Sequence, residues 1–513
     1  MINNTKSRIV AFTRWRGAVG GLALLAAGVI GSPVWAEPTA EVIVSSSEGD
    51  RLSRKADLPF VADTAGDAPV FTVDDSKPLQ KILGFGASFQ EAGMILLSDL
   101  KPAEQEAVLQ SVFDPEKGAG FSAMVTYMGS TDLMSAGPYY TYADKEGDVA
   151  LDSFTIERDL KPFGLATYIK RAQKYGRFAL HSRLDYPPNW MMLDQRFEKG
   201  MILDPHYYEP LSRYYLKYIQ AYREQGIDIT HLSLFNEPGF YTKISYSEIG
   251  DIIRNHVGPL FRKEGITTKL QIADAPFRYW AHKVYPVLLD NPETRQYISG
   301  MTYHSYDYLW GPEAKLDGLR KIADLHARYP DIEIWMTEHC YHRDSIMAAK
   351  LGDMEIPRLD FEDGDFWGHE IANELEAGAS AWSYFNLILD EEGGPEFVSP
   401  VHQYKDNNVQ QPVIVINRKE KKAHYTGLYY YLSHFAKYVR PGSVRLTTTG
   451  SAQGLRVLSF KRPDGKIVVQ VMNSRAEKAK VNVAWGGELL PVEAPAISIS
   501  TIIWPADGAS TGS

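Results

Sequence analysis

Residues 232–238 of this chain read Leu-Ser-Leu-Phe-Asn-Glu-Pro, and residues 334–340 read Ile-Trp-Met-Thr-Glu-His-Cys. Short apolar runs bounded by polar residues or proline are typical of buried β-strands. Each stretch therefore predicts a buried strand with a carboxylate, Glu237 or Glu338, at its carboxyl end. The two glutamates lie 101 positions apart, so any joint role requires the fold to bring them together.

Six further strand-like segments and several helix-favouring segments alternate around these two stretches. The further strands are predicted at 82–89, 121–128, 178–184, 270–273, 300–304 and 379–385. The helices between them are predicted at 102–112, 160–174, 208–224, 246–263 and 314–328. Strands that alternate with helices indicate βαβ units and a parallel sheet. Eight such strands predict an α/β fold, a (β/α)8 TIM barrel spanning residues 78–434.

The chain outside residues 78–434 has a different pattern. Residues 435–505 contain short segments with period-two alternation and a Pro-Asp-Gly turn at 463–465, which predict an all-β sandwich domain. Residues 37–77 are also extended in character, and we expect their strands to contribute to the sandwich. The polar tail, residues 506–513, is predicted to be disordered.

The first 36 residues predict a secretory signal peptide. Four basic residues precede an apolar run at 17–30, and Val34-Trp35-Ala36 supplies small residues at the positions that precede cleavage. The run is shorter than the ~20 residues that a membrane span needs, so we expect export to the periplasm or the medium without a membrane anchor.

Charge and cysteine content exclude several classes of partner. Removal of residues 1–36 takes four cations and no anion, so the formal net charge falls from −10 to −14. A chain this acidic is not expected to bind nucleic acid or anionic membranes. Cys340 is the single cysteine, which excludes an internal disulfide, and no metal-binding or nucleotide-binding motif is present. The sequence therefore predicts no metal and no cofactor, and it carries no signal for an oligomeric state.

Glu237 and Glu338 end the fourth and seventh predicted strands, where TIM barrels carry their chemistry. Those two strands are expected to lie across the barrel mouth from each other. Two facing carboxylates suit hydrolysis of a glycosidic bond, in which one protonates the leaving oxygen and the other attacks or activates water. Asn236, just before Glu237, is a candidate donor to a sugar 2-hydroxyl.

The chain resembles glycoside hydrolase family 30, and most closely its glucosylceramidase branch. The resemblance rests on the joint order of motifs at 84–89 (Gly-Phe-Gly-Ala-Ser-Phe), 129–132 (Gly-Ser-Thr-Asp), 188–191 (Pro-Asn-Trp-Met), 236–238 (Asn-Glu-Pro), 304–306 (His-Ser-Tyr), 337–340 (Thr-Glu-His-Cys), 386–387 (Asn-Leu) and 392–395 (Glu-Gly-Gly-Pro). It implies that Glu237 is the general acid/base and Glu338 the nucleophile of a retaining β-glycosidase. Glu237 should then have a raised pKa, whereas Glu338 should be ionised and surrounded by donors.

The resemblance also implies supporting and substrate-binding residues. Tyr306, supported by His304, is the expected donor to Glu338. The expected substrate contacts are Asp132, Asp185, Trp190 and Trp382, with Asp132 accepting from sugar hydroxyls and Trp382 stacking under the transferred ring.

Three positions depart from the glucosylceramidase pattern near the expected sugar. Val125 stands where that branch has an arginine on the second strand, and Asp185 and Ser305 stand where it has tryptophans. Arg183, near Asp185, could read a different hydroxyl pattern or a charged substituent, or pair with Asp185. The substrate is therefore a β-linked glycoside or glycan of open identity.

Two alternatives to a glucosylceramidase-like enzyme are compatible with the sequence. One is an endo-acting β-1,6-glucanase, galactanase or related polysaccharide hydrolase of the same family. The other is a non-catalytic carbohydrate-binding protein, although the retained Glu237, Glu338, Asn236 and Tyr306 argue against it.

Overall fold

The computed structural model describes residues 39–62, 66–131, 134, 139–194, 201–340, 360–395 and 410–506. The predicted signal peptide, Asp132 and residues 507–513 of the predicted tail lie outside the described residues. Within them, no helix has the length and apolar character that crossing a bilayer requires.

Eight parallel strands form the barrel that the sequence predicts. Numbered β1 to β8 in chain order, they are Gly84–Ala87, Ala123–Tyr127, Ala179–Arg183, His231–Ser233, Lys269–Ala275, Ile298–His304, Glu333–Glu338 and Ala381–Tyr384. Neighbours in the chain are neighbours in the sheet, and β8 pairs with β1. Hydrogen bonds from Phe89 N–H to Val125 O (2.8 Å) and from Ser122 N–H to Phe85 O (2.9 Å) join β1 to β2 and close the ring.

Helices follow the strands and cover them with apolar faces. They are Glu91–Ser98, Pro102–Phe113, Leu165–Ala172, Tyr208–Glu224, Tyr246–Ile252, Gly258–Lys263, Arg278–Leu289, Pro292–Arg295, Pro312–Arg328, Asp363–Glu376 and Gly427–Tyr438. Tyr208–Glu224 buries Leu211, Tyr215, Tyr218 and Tyr222, which recur every three or four residues and so share one side of the helix. Ser245 caps the start of Tyr246–Ile252 in a reciprocal pair with Glu248.

Side chains fill the barrel interior. The indole of Trp335 on β7 donates to Ser383 Oγ on β8 (2.8 Å). Its ring lies 5.6 Å from that of His181 on β3 and 5.3 Å from that of His231 on β4. One side chain thus spans the barrel, and Trp335 and Ser383 define the inward face of their strands.

Apart from two small sheets (Ile388–Asp390 with Ile414–Asn417 and Lys422–Tyr425, and Met192–Asp194 with Ile202–Leu203), the remaining strands form one ten-stranded sheet that includes both ends of the described chain. Its members are Thr39–Ser46, Ser53–Pro59, Val61–Ala62, Val70–Lys81, Val444–Thr449, Leu455–Lys461, Lys466–Asn473, Ala479–Trp485, Glu488–Ala494 and Ser498–Pro505. Thr39–Ser46 pairs with Ser498–Pro505, and Val70–Lys81 pairs with Val444–Thr449, so the N-terminal strands belong to this layer as expected. Strand Glu488–Ala494 was not predicted from the sequence.

A helix and a strand run past the predicted domain limits and join the two parts. Helix Gly427–Tyr438 extends beyond residue 434, and strand Val70–Lys81 extends beyond residue 77. His434 in that helix contacts Thr501 Oγ1 (2.6 Å) and Ser45 Oγ (2.9 Å) of the sandwich sheet. Burial lowers the pKa of His434 to about 3, so the ring is neutral and suits this apolar junction.

Candidate active site

Glu237 sits at a sharp turn just beyond β4. Its φ is +43°, a left-handed conformation that costs a non-glycine residue on the order of 1 kcal/mol. The backbone N–H of Glu237 donates to Asp274 O (2.9 Å), which ties the turn to the end of β5. This turn ends the strand and holds the nearly buried carboxylate at the barrel mouth.

Glu338 is the last residue of β7, next to an irregularity in the pairing with β6. Tyr303 pairs with Met336 but His304 pairs with Glu338, so Thr337 is an extra residue on β7. Such a bulge re-aims side chains. Thr337 Oγ1 donates to Asp274 while Glu338 contacts Arg183, so two consecutive side chains both point into the barrel mouth.

His304 at the end of β6 lies between the two glutamates. Its Nδ1 is 2.7 Å from Glu237 Oε1 and 3.6 Å from Glu338 Oε1. One oxygen of each carboxylate and a ring nitrogen of His304 all lie within 4.8 Å of one another. The fold therefore brings together the two glutamates and the histidine that the sequence singled out.

The tautomer of His304 follows from its other partner. Arg183 Nη1 lies 3.0 Å from His304 Nε2, and a guanidinium can only donate. Nε2 is therefore the acceptor, and Nδ1 carries the proton and donates to Glu237. Burial and the Arg183 charge hold the pKa of His304 well below its ordinary value, so the ring is neutral.

This tautomer bears on metal binding. The spacing of Glu237, His304 and Glu338 would suit a metal ion. A metal needs the Nδ1 lone pair, however, and here Nδ1 presents a hydrogen to the glutamates. The group thus fits a hydrogen-bonded network better than a metal centre.

Two strong donors face Glu338. Tyr306 Oη donates to Oε1 (2.8 Å), as expected, and Arg183 Nη2 donates to Oε2. Burial raises the pKa of Tyr306 well above its ordinary value, so the phenol remains a donor. A cation and a phenol together favour the ionised form of Glu338.

Asp274 at the end of β5 is a site residue that the sequence analysis missed. It is fully buried, 3.2 Å from His181 Nε2 and 3.7 Å from Arg183 Nη1. Burial alone would raise its pKa, but His181 and Arg183 outweigh burial and hold the pKa below its ordinary value. The signal was present, because Asp274 follows the predicted strand 270–273 just as Glu237 stands at the end of the strand predicted within residues 232–238.

Trp382 is not among the residues that the structure brings to this group. It is fully buried, and its ring stacks on Tyr384 (centroids 6.0 Å apart) and lies 6.3 Å from Trp367 of helix Asp363–Glu376. Strand alternation gives the reason: Ser383 points into the barrel, so Trp382 points out. Phe385 is on the inward side, with its ring edge-on to Tyr127 at 6.4 Å.

The other predicted substrate residues occupy varied positions. Asp132 is outside the described residues, and Asp185 is buried just beyond β3. The indole N–H of Trp190 donates to Ala143 O (2.8 Å), and only 5% of the residue is exposed. Asn236 Oδ1 is buried and has no hydrogen-bond partner within the described part of the chain, so a ligand hydroxyl could satisfy it.

Ser305 and Arg183 have contacts that differ from those expected from the sequence. Ser305 was expected near the sugar, but this is wrong: its hydroxyl donates to Glu374 Oε1 (2.6 Å) in a buried network outside the barrel. Arg278 pairs with Glu374 and Asp307 in the same network. Arg183, expected to read a sugar or pair with Asp185, contacts Glu338 and His304, and the Asp185 carboxylate is among the charges that stabilise its guanidinium.

Comparison with known proteins identifies this architecture. The model of the glycosyl hydrolase family 30 TIM-barrel domain matches residues 82–439, and that of the family 30 beta sandwich domain matches residues 442–502. The chain belongs to glycoside hydrolase family 30. It is therefore an enzyme that hydrolyses glycosidic bonds, and the alternative of a non-catalytic binding protein is not retained.

Family 30 relatives match along most of the chain. Mouse lysosomal acid glucosylceramidase is 25% identical over 481 residues, covering 90% of this chain and 88% of the relative. An endo-1,6-beta-D-glucanase of Neurospora crassa is 27% identical over 464 residues, covering 85% and 88%.

Solved structures confirm the predicted fold. SrfJ from Salmonella typhimurium superposes with a TM-score of 0.79 at 20% identity, covering 91% of this chain and 99% of that one. The endo-beta1,6-glucanase BT3312 superposes with a TM-score of 0.76 at 22% identity, with the same coverage.

Proposed function

We propose that this enzyme is a retaining β-glycosidase that acts by double displacement. Glu338 attacks the anomeric carbon while Glu237 protonates the leaving oxygen. Glu237 then deprotonates the water that releases the sugar from Glu338. The short distance between the two carboxylates carries the proposal, because one oxygen of Glu237 lies within 4.8 Å of one oxygen of Glu338. Retaining enzymes hold their carboxyl groups ~5–5.5 Å apart and inverting enzymes ~6.5–9.5 Å.

The contacts of each glutamate support this division of roles. Glu338 accepts from a guanidinium and a phenol, which favours the charged form that a nucleophile needs. Glu237 accepts from the neutral His304, which opposes its protonation far less than a cation would. Family membership adds support, since Glu237 follows Asn236 in the motif that matches the family's acid/base.

The anomeric configuration of the first product tests this mechanism. We expect a β-glycoside substrate to release β-sugar first, with the α-anomer appearing only through mutarotation. Proton NMR during the first minutes of hydrolysis distinguishes the two. Initial release of the α-anomer would mean inversion and would contradict double displacement.

Exposed and half-buried aromatic side chains follow the strands that end near Glu237. Phe277 and Trp280 follow β5, and the Phe277 ring lies 4.3 Å from that of Trp310, which follows β6. Phe240, in the turn after Glu237, and Trp310 are 50% and 56% exposed. These four residues, the aromatic rim, follow β4, β5 and β6 at the end of the barrel that carries Glu237, and we propose that they contact the leaving group.

The aromatic rim favours a substrate whose leaving group is large and has apolar faces. We propose a glucosylceramidase-like β-glucoside hydrolase whose sugar pocket departs from that branch. An endo-acting β-1,6-glucanase is the second candidate, because exposed aromatic rings also stack on sugar units. Assays on glucosylceramide micelles and on β-1,6-glucan separate the two.

Replacing Trp310 with alanine is expected to raise KM for the preferred large substrate about 3- to 10-fold, because one exposed aromatic contact contributes ~0.5–1.5 kcal/mol. KM for a small aryl β-glucoside should stay unchanged. Tyr279→Ala is the matched control, since Tyr279 is also exposed but lies under Lys321 of helix Pro312–Arg328. Equal KM changes on both substrates would argue against a leaving-group role for the rim.

We also propose export, with cleavage after Ala36, on the basis of residues 1–36. N-terminal sequencing of the protein from its native host tests this, and an uncleaved Met1 would contradict it.

A further inference from the structure

We infer that Arg183 is a positioning residue that sets the proton arrangement of both glutamates, holding Glu338 ionised and turning the N–H of His304 toward Glu237. The inference rests on the proposed function, because it gives these glutamates their roles. It concerns a side chain on β3, whereas the glucosylceramidase pattern has its arginine on the second strand.

The Arg183 guanidinium contacts groups on both sides of the site. Arg183 is fully buried, and its two Nη atoms serve different partners. Nη2 donates to Glu338 Oε2 and to Tyr127 Oη (3.2 Å), whereas Nη1 donates to His304 Nε2 (3.0 Å). A planar guanidinium holds its two Nη groups at fixed angles, so it can donate to both partners at once. An ammonium group lacks this fixed geometry.

Each Nη group of Arg183 has a different effect on the glutamates. The charged contact stabilises the Glu338 carboxylate, which must be ionised to attack. The contact with His304 forces the ring proton onto Nδ1, 2.7 Å from Glu237 Oε1. That N–H stabilises Glu237 once it has given its proton to the leaving group, so both glutamates depend on one guanidinium.

The neighbouring strand β2 leaves space for the Arg183 side chain. On β2, Val125 lies on the same face as Tyr127, whose ring packs under the Arg183 guanidinium at 5.0 Å. Val125 pairs with His181, and Tyr127 pairs with Arg183, in the parallel register of β2 and β3. A small apolar side chain at position 125 leaves the inward side of β2 without a charge, so Arg183 supplies the cation from the next strand.

Other titratable groups near the glutamates do not substitute for Arg183. Within the described residues, those that face the pair are His304, Tyr306, Cys340, Asp274 and Tyr246. His304 is neutral, and the other four are acids. Among the described residues, Arg183 is therefore the cation that contacts this group.

The test compares pH profiles of kcat/KM for the wild type, Arg183→Met and Arg278→Met. Loss of the guanidinium disfavours ionised Glu338, so the acidic limb should move up by roughly 1–3 pH units. The alkaline limb should also move up, because removal of a nearby cation favours the protonated form of Glu237. We expect kcat/KM at the optimum to fall about 100-fold or more.

Arg278→Met is the matched control. Arg278 is equally buried and is paired with two carboxylates, but it contacts neither Glu237 nor Glu338. It should lower the melting temperature without moving either limb. Unshifted limbs in a folded Arg183→Met enzyme would overturn the inference. Because Glu338→Gln and the product anomer test the roles of the glutamates separately, such a result would leave the proposed function standing.

Arg183→Lys decides the matter if Arg183→Met does not fold. Lysine keeps the charge but not the fork. We expect the acidic limb of the pH profile to remain near that of the wild type while kcat falls. We also expect ¹⁵N NMR to show that His304 loses its Nδ1–H form. The His304→Gln variant assigns the NMR signal. Unchanged kcat with an intact Nδ1–H signal would overturn the inference.

Discussion

Glu338→Gln is expected to lower kcat by roughly 10⁴-fold or more on every substrate, because the amide keeps the shape of the carboxylate but cannot attack the anomeric carbon. The loss should not depend on the leaving group, since no glycosyl-enzyme forms. Steady-state rates on an aryl β-glucoside and on the preferred large substrate check this.

Stability must be measured beside activity for this variant. Arg183 would lose its anionic partner in a buried site, and breaking such a pair typically costs ~3–5 kcal/mol. Glu374→Gln is the matched control, because Glu374 is also buried and paired with an arginine, outside the barrel. It should lose stability and retain most activity. A Glu338→Gln enzyme with near wild-type rates would exclude Glu338 as the nucleophile.

Glu237→Ala is expected to slow hydrolysis of substrates with poor leaving groups by about 10²- to 10⁴-fold, the usual contribution of general acid–base catalysis. Substrates with strongly acidic leaving groups need no protonation, so their first step should be nearly unaffected. Their glycosyl-enzyme should then accumulate, because no base activates water.

Azide provides a second measurement on the same variant. A small anion can enter the space left by the carboxylate and attack the glycosyl-enzyme without a base. We expect azide to accelerate turnover of Glu237→Ala and to yield the β-glycosyl azide, with no acceleration of the wild type. An α-glycosyl azide, or no acceleration at all, would contradict the assigned role of Glu237.

Much of the fold follows from local sequence. Apolar runs of strand length alternate with amphipathic segments, and this pattern is sufficient for a barrel of eight parallel strands. The predicted strands 82–89 and 300–304 correspond to Gly84–Ala87 and Ile298–His304, which shows that such patterns locate elements better than their ends. Strand Glu488–Ala494 escaped prediction because it contains Pro491, and a proline inside a short run argues against a strand.

Side-chain direction near the active site was harder to predict than strand position. Trp382 and Phe385 are both aromatic and lie three residues apart, yet only Phe385 faces Tyr127. Ser305 follows His304 directly but points out of the barrel to Glu374. Alternation along a strand tells which side chains point inward only when one inward residue is already known. Here the hydrogen bond between Trp335 and Ser383 identifies the inward side of β7 and β8.

The sequence by itself determined the barrel, the sandwich and the two glutamates, because strand periodicity and a carboxylate at a strand end are local properties of the chain. Only the tertiary structure decided how those glutamates are controlled. A bulge at Thr337 and a left-handed turn at Glu237 aim both carboxylates at His304. Arg183 reaches Glu338 across 155 positions of chain, and a contact that distant depends on the closure of the barrel, which no local pattern encodes.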